Sequence, residues 1–250
     1  MNRLAVLLAA SWVGTGCVVH DTCDVHTVWV GWSSFVRATQ TGYETSTACF
    51  SDFTQMQVYL DEDLANPSTA NCTDNVAGFA GVLTGVHTIR VDGLSNGSSG
   101  VPSGVPLVRD VVSVDISDVC ADQVVDTQPG ESVVNLSYAV PGGVCVPGSV
   151  MWFKVEDGYT GETIAEQDET SPNPSDPNFA CSTQTPVVSF ILPGQSTFTL
   201  ERLEEAVPGA GTPVQSGYCT ATDFDTTTGV DTRVPAAGAL PLADGVVCPL

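Results

Sequence analysis

Basic residues are scarce in this chain: 7 Lys and Arg stand against 29 Asp and Glu, for a formal net charge of −22. Lys154 is its single lysine. Nucleic acid and anionic lipid headgroups bind through cationic partners, so no nucleic-acid partner is expected for such a surface. Histidine is limited to His20, His26 and His87. No apolar run reaches the roughly 18 residues a transmembrane helix needs. Catalytic signatures are missing as well. Gly97-Ser-Ser-Gly100 lacks the Gly-x-Ser-x-Gly spacing of a nucleophile elbow, and neither a phosphate-binding glycine loop nor a His-Glu-x-x-His pair occurs. Adjacent carboxylates such as Asp61-Glu62-Asp63, Glu156-Asp157 and Asp168-Glu169 follow from the acidic composition and read as solvated loops. A carboxylate-dependent hydrolase would need one of them raised in pKa by burial. The chain therefore reads as non-enzymatic.

The first 16 residues have the form of an export signal: Arg3, then apolar Leu4 to Ala10, then small residues at Gly14-Thr15-Gly16. That apolar stretch is too short to span a ~30 Å hydrocarbon core. Thr15-Gly16-Cys17 resembles the lipobox of bacterial lipoproteins, with Gly14 where an aliphatic residue is usual. The resemblance implies that Cys17 becomes a lipidated N-terminus anchored in a membrane, with residues 17–23 as a tether. Several acyl chains at ~0.8 kcal/mol per buried CH₂ would make that anchor durable. Val18 replaces the aspartate that commonly retains such proteins at an inner membrane, which implies the outer membrane or cell surface in a Gram-negative envelope.

The chain has 9 cysteines, an odd number. Setting Cys17 aside leaves Cys23, Cys49, Cys72, Cys120, Cys145, Cys181, Cys219 and Cys248, an even set suited to bridges in an oxidising compartment.

The sequence also repeats. From Cys72 and from Cys181, Leu83 matches Leu192, Gly85 matches Gly194 and Thr88 matches Thr197, all at an offset of 109. Upstream, Met56, Val58 and Leu60 match Met151, Phe153 and Val155 at an offset of 95. A loop rich in Pro, Ser, Asp and Asn, Asp168 to Asn178, absorbs the difference. Around these positions polar and apolar residues alternate with period two: Thr88, Arg90 and Asp92 on one side, His87, Ile89 and Val91 on the other. Such alternation predicts strands with one buried and one wet face. Further strands are predicted over Val28 to Val36, Leu107 to Ile116 and Val133 to Val140, with a strand end at Leu200 to Ala206.

No stretch has helical periodicity over ten or more residues, so the fold class is all-β: two tandem antiparallel β-sandwich domains, 24–127 and 128–250. Repeat symmetry pairs Cys49 with Cys72 and Cys145 with Cys181, leaving Cys23–Cys120 and Cys219–Cys248. The cysteine pair flanking a strand, followed by Phe79-x-Gly-Val-Leu83-x-Gly85 or by Leu192-Pro-Gly194, resembles immunoglobulin-like or carboxypeptidase-regulatory (transthyretin-like) modules of bacterial exported lipoproteins. That resemblance implies a sandwich fold and is nearly silent on function.

Few residues are candidates for a site. His20-x-x-Cys23-x-x-His26 has metal-like spacing, although Cys23 is more simply half of a disulfide. His87 reads as a strand-end or core histidine. Asp223, Asp225 and Asp231 surround Gly229 with hard oxygen ligands of the kind Ca²⁺ takes, but they depart from the EF-hand pattern, and an acidic Thr-rich turn is the simpler account. Calcium is the one cofactor the sequence suggests. The leading expectation is a lipid-anchored spacer or binding scaffold of the cell envelope, with a protein or glycan as partner. Trp29, Trp32, Trp152 and Tyr159 are candidate aromatics for a glycan, with Trp152 and Tyr159 foremost.

Overall fold

The computed structural model describes residues 24–39, 41–98, 100–117, 121–139, 150–166, 187–205, 213–241 and 243–244. Among them the chain is all-β, apart from one turn of 3₁₀ helix at Cys72–Asp74. The expected signal segment and its lipidation site, Cys17, lie outside the described residues.

The N-terminal half opens with β1 (Val25–Trp32), which pairs antiparallel with β6 (Val76–Leu83) and parallel with β9 (Gln123–Thr127). Across the core lies a second sheet in the order β5 (Ser68–Asn71), β4 (Phe53–Leu60), β7 (Gly85–Ser95), β8 (Pro106–Ile116). Alternate residues of both sheets fill the space between: Val28, Val30 and Trp32 from β1, Phe53, Met56 and Val58 from β4, Ile89 and Val91 from β7. Full burial of each such side chain contributes roughly 1.5–3 kcal/mol. Trp32 donates its indole N–H to the Cys72 carbonyl at 2.9 Å, which satisfies the one polar atom of a buried ring. Beside it the disulfide Cys49–Cys72 is formed, with a Cα–Cα distance of 6.1 Å. Cys23, Cys120, Cys145, Cys181 and Cys248 lie outside the described residues, and of Cys219 only its place in a strand is described.

The C-terminal half repeats the plan. β10 (Ser132–Leu136) pairs antiparallel with β14 (Val187–Ile191) and parallel with β17 (Asp231–Val234). The larger sheet runs β13 (Thr163–Glu166), β12 (Val150–Asp157), β15 (Gly194–Glu205), β16 (Pro213–Thr226), β19 (Ala243–Asp244). The two sequence offsets meet in the strand register. Val58 opposes Val91 and Leu60 opposes Ile89 in the first half. Their counterparts, Phe153 with Leu200 and Val155 with Phe198, oppose each other in the second. Pairing of one repeat thus predicts pairing of the other, residue for residue. The glycine turn preceding each long strand is also shared: Gly85 has φ +141° and Gly194 has φ +108°, in a region where a side chain would be strained.

Two details differ from the sequence reading. The strand expected over Val28 to Val36 breaks at Ser33-Ser34, and β2 (Phe35–Thr39) pairs with β3 (Gly42–Ser46) instead. The chain leaves β6 there because Val36 hydrogen-bonds the connection between the halves: its N–H donates to Pro129 O at 3.0 Å, and Glu131 N–H donates to Val36 O at 3.0 Å. The stretch expected over Val133 to Val140 breaks in the same way. β10 ends at Leu136, Ser137 turns, and β11 (Tyr138–Ala139) pairs with β18 (Leu240–Pro241). The short parallel strands β9 and β17 were not anticipated. Both lie at sheet edges and present few residues, too short for a period to register.

Candidate functional site at the junction of the halves

The alternation in β7 correctly separates two faces, but the face expected to be wet is buried. Arg90 and Asp92 are each 1% exposed. Cross-strand pairing explains how they meet their neighbours: Asp92 lies opposite Arg109 of β8, and Arg90 lies between Tyr59 of β4 and Val111 of β8. The turn after β12 closes over this patch.

Arg109 sits at its centre, 1% exposed. Its Nε donates to Asp92 Oδ1 at 2.6 Å and its Nη1 to Asp157 Oδ1 at 2.8 Å. Nη2 completes both forks, to Asp157 Oδ2 at 2.9 Å and Asp92 Oδ2 at 3.3 Å. One guanidinium thus bridges a carboxylate from each half, using the planar geometry that suits arginine to bidentate contacts. Burial works against the charge of Arg109, yet the flanking Asp92 and Asp157 outweigh it and hold the group protonated above its ordinary range. Burial likewise disfavours the Asp157 anion, but hydrogen bonds from Arg109 and its charge keep the carboxyl below its usual value. Asp157 also accepts from Tyr159 N at 3.1 Å and Thr160 Oγ1 at 3.1 Å, so the same residue shapes the turn and delivers the charge.

Arg90 completes the cluster. Its Nε is 3.3 Å from Asp92 Oδ2, and its guanidinium lies 4.1 Å from the centre of the Tyr59 ring and 5.0 Å from that of Tyr159. Cation–π attraction takes the place of hydrogen bonds at Nε and Nη1, which have no hydrogen-bond partner among the described residues. The four ionic groups sum to zero charge, which is what makes their joint burial tolerable.

The backbones lock as well. Arg109 and Gly130 exchange N–H···O bonds of 2.9 Å in both directions, and Thr228 Oγ1 donates to Arg109 O at 3.1 Å. Gly130 is required by contact: a Cβ there would stand 2.5 Å from Val36 O. Next to it Glu131 is 6% exposed and accepts a 2.7 Å bond from Ala38 N–H, with Arg37 Nε 3.7 Å away. Burial pushes its carboxyl up to about 7 against the opposing pull of the Ala38 hydrogen bond and Arg37. One carboxyl oxygen is thus taken up by the backbone within the junction, and the other faces Arg37 at ion-pair distance.

The expected site residues fall in different places. Tyr159 belongs to the junction, half-buried with its ring against Arg90 and Arg109, so it does not offer the open platform a glycan needs. Trp152 is in β12 opposite Glu201, and its side chain lies outside the described residues. Trp32 is core, 2% exposed; Trp29 is 41% exposed. The aspartates expected to hold calcium do not form one site. Asp223 and Asp225 are exposed along β16, where Thr197 Oγ1 donates to Asp223 at 2.7 Å. Asp231 starts β17 in the other sheet and accepts from the Tyr43 hydroxyl at 2.8 Å. Gly229, with φ +66°, turns the chain between the sheets and separates residues that are close in sequence. Among the described residues no group of three or more His, Cys, Asp or Glu is placed to hold a metal ion. His26 is buried and within 3.2 Å of Thr84 Oγ1, while His20 and Cys23 lie outside the described residues. His87 is a strand-end histidine 2.7 Å from Asp61, whose hydrogen bond raises its pKa. The junction itself went unseen in the sequence. A signal was present: two of the few arginines fall on predicted adjacent strands of a chain with 29 acidic residues.

No family model and no curated protein matches the chain. Among solved structures, the TIE protein of Bacillus anthracis aligns over 84% of this chain at 8% identity and a TM-score of 0.28; the chain spans 33% of that protein. Shaft pilin SpaA of Lactobacillus rhamnosus GG aligns over 90% of this chain and 100% of its own, at 10% identity and a TM-score of 0.23. A candidate adhesin of Bacteroides ovatus aligns over 80% of this chain and 76% of its own, at 11% identity and a TM-score of 0.27. At such scores the likeness carries no argument about function or the detailed placement of strands.

Proposed function

We propose that the chain is a non-enzymatic cell-envelope lipoprotein whose two sandwich domains, 24–127 and 128–250, form a stiff spacer or binding scaffold. The observation that carries this reading is Arg109, buried between a carboxylate of each half and tied to Gly130 by reciprocal backbone bonds. Loosely linked domains present solvated polar faces to one another and move as a default. Here a charge network is desolvated to join them, an arrangement that suits transmission of position or load rather than closure on a substrate. The lipid anchor rests on Thr15-Gly16-Cys17 and the odd cysteine count.

Two measurements test the reading. Hydrogen exchange on the full chain is expected to protect the Arg109 and Gly130 amides as strongly as the core amides of β7, and loop-like exchange there would overturn the rigid junction. Mass spectrometry of the natively expressed protein is expected to find acyl mass on an N-terminal Cys17; an unmodified N-terminus would remove the anchor.

A further inference from the structure

The outer face of the sheet β6–β1–β9 exposes Trp29, Val76 and Val124. Trp29 of β1 lies opposite Gly78 on one side and Val124 on the other. Its six-membered ring lies over Gly78, where a Cβ would come within 2.8 Å of Cε3 and 2.9 Å of Cζ3. Its Nε1–H donates to Asp122 Oδ2 at 3.1 Å, which holds the indole in place while 41% of the residue stays exposed. One row along the same face, Gly31 lies between Val76 and Asp126. With no side chain at Gly31, a recess of about 270 Å³ opens one row along from Trp29, lined by Gly31 and Trp32 and by four polar residues, Ser33, Thr47, Asn75 and Asp126. The side chains of those four make no hydrogen bond among the described residues.

We propose that this platform and recess bind a neutral glycan, one pyranose ring stacking on Trp29 while hydroxyls of the next ring are held by Asp126, Asn75 and Thr47. The inference deepens the scaffold reading by naming what the scaffold holds. A fixed aromatic face suits the C–H face of a sugar, and the uncommitted carboxylate, amide and hydroxyl groups of the recess suit the ring hydroxyls. The recess is smaller than the ~300 Å³ of enclosed small-molecule pockets, so it takes one ring and leaves the rest of the polymer along the sheet. Asp122, Asp126 and the net charge of −22 reject phosphate-, sulfate- or carboxylate-bearing ligands.

The test is titration of the full chain with cello-, xylo-, manno- and chito-oligosaccharides, read by tryptophan fluorescence and calorimetry, with heparin as the anionic control. Saturable binding of one neutral series is expected. Trp29→Ala is expected to weaken it by at least about tenfold. Gly31→Leu fills the recess and is expected to do the same with an unchanged unfolding midpoint, because a Cβ there meets no atom closer than 3.5 Å. Binding of heparin alone, no binding by any series, or binding that survives both substitutions would each overturn the proposal. So would self-association in sedimentation that Trp29→Ala abolishes, since the face would then be a contact between copies. Failure of the junction measurements would leave this site standing, because Trp29 and every residue lining the recess belong to the N-terminal half.

Discussion

Removing Asp157 is the sharpest perturbation of the junction. In the intact cluster two arginines and two aspartates, each no more than 2% exposed, balance in charge. Asp157→Leu strips Arg109 of two charge-assisted bonds, at 2.8 and 2.9 Å, and leaves two buried cations sharing Asp92. Breaking a buried pair from one side costs about 3–5 kcal/mol, a large part of the ~5–15 kcal/mol by which proteins are stable. Arg109→Met is expected to cost a similar amount, since it strips Asp157 of its buried cation and leaves two buried carboxylates against the single charge of Arg90. The double variant Arg109→Met/Asp157→Leu restores neutrality, keeps the Arg90–Asp92 pair, and is expected to cost well below the sum of the singles. The coupling energy is expected near the upper end of the ~0.5–3 kcal/mol seen for contacting residues. Urea unfolding followed by tryptophan fluorescence, closed as a double-mutant cycle, measures it. A second readout is salt: a buried network should keep its coupling in about 1 M NaCl, where exposed pairs are screened beyond ~3 Å. Single costs below about 1 kcal/mol that simply add would refute the reasoning, because that is the behaviour of solvated surface pairs.

Glu131 gives the junction a dependence on pH. Its folded pKa, about 7, lies above the ordinary 4.5, so the native state holds the proton more tightly than the unfolded chain. Its contribution is therefore full below the unfolded value and is lost as pH rises through about 7, amounting to roughly 3 kcal/mol at 1.36 kcal/mol per unit. Glu131→Gln is expected to stabilise the protein more near pH 8 than near pH 5, and parallel pH profiles for the two proteins would contradict the assignment. The Cys49–Cys72 bridge closes a separation of 23 residues, so Cys49→Ser/Cys72→Ala should cost about 3 kcal/mol in denaturant midpoint experiments; an unchanged midpoint would count against it. Gly130→Ala pushes a methyl against Val36 O, a backbone atom that cannot rotate away, and should destabilise by about 1–3 kcal/mol while opening the Arg109 amide to exchange. A protected Arg109 amide in that variant would show the halves are held elsewhere.

Much of this fold was legible in the residues. Alternation around Met56 to Leu60 and His87 to Val91 marked strands, and two sequence offsets converged on pairs that face each other in both halves. The Cys49–Cys72 bridge followed from the same symmetry. Local period, turn glycines and repetition are properties of neighbouring residues, and a sequence records them directly. Strand breaks at Ser33-Ser34 and Ser137 were not legible, because they arise where the backbone finds partners far along the chain, at Pro129 and Val234.

What covers a face is a different kind of fact. Alternation in β7 showed that Arg90 and Asp92 share a side, and that much is readable from the residues alone. Whether that side meets water depended on the turn at Asp157 and Tyr159 arriving over it from the other half. The same holds for the aromatics: Tyr159 was drawn into the ionic cluster, whereas Trp29 was left on an open sheet. It holds too for Asp223, Asp225 and Asp231, near in sequence but carried into different sheets by the turn at Gly229. Period two reports that a strand has two faces. Which face is solvated is settled by the packing of distant segments, because burial is a relation between segments and belongs to neither alone.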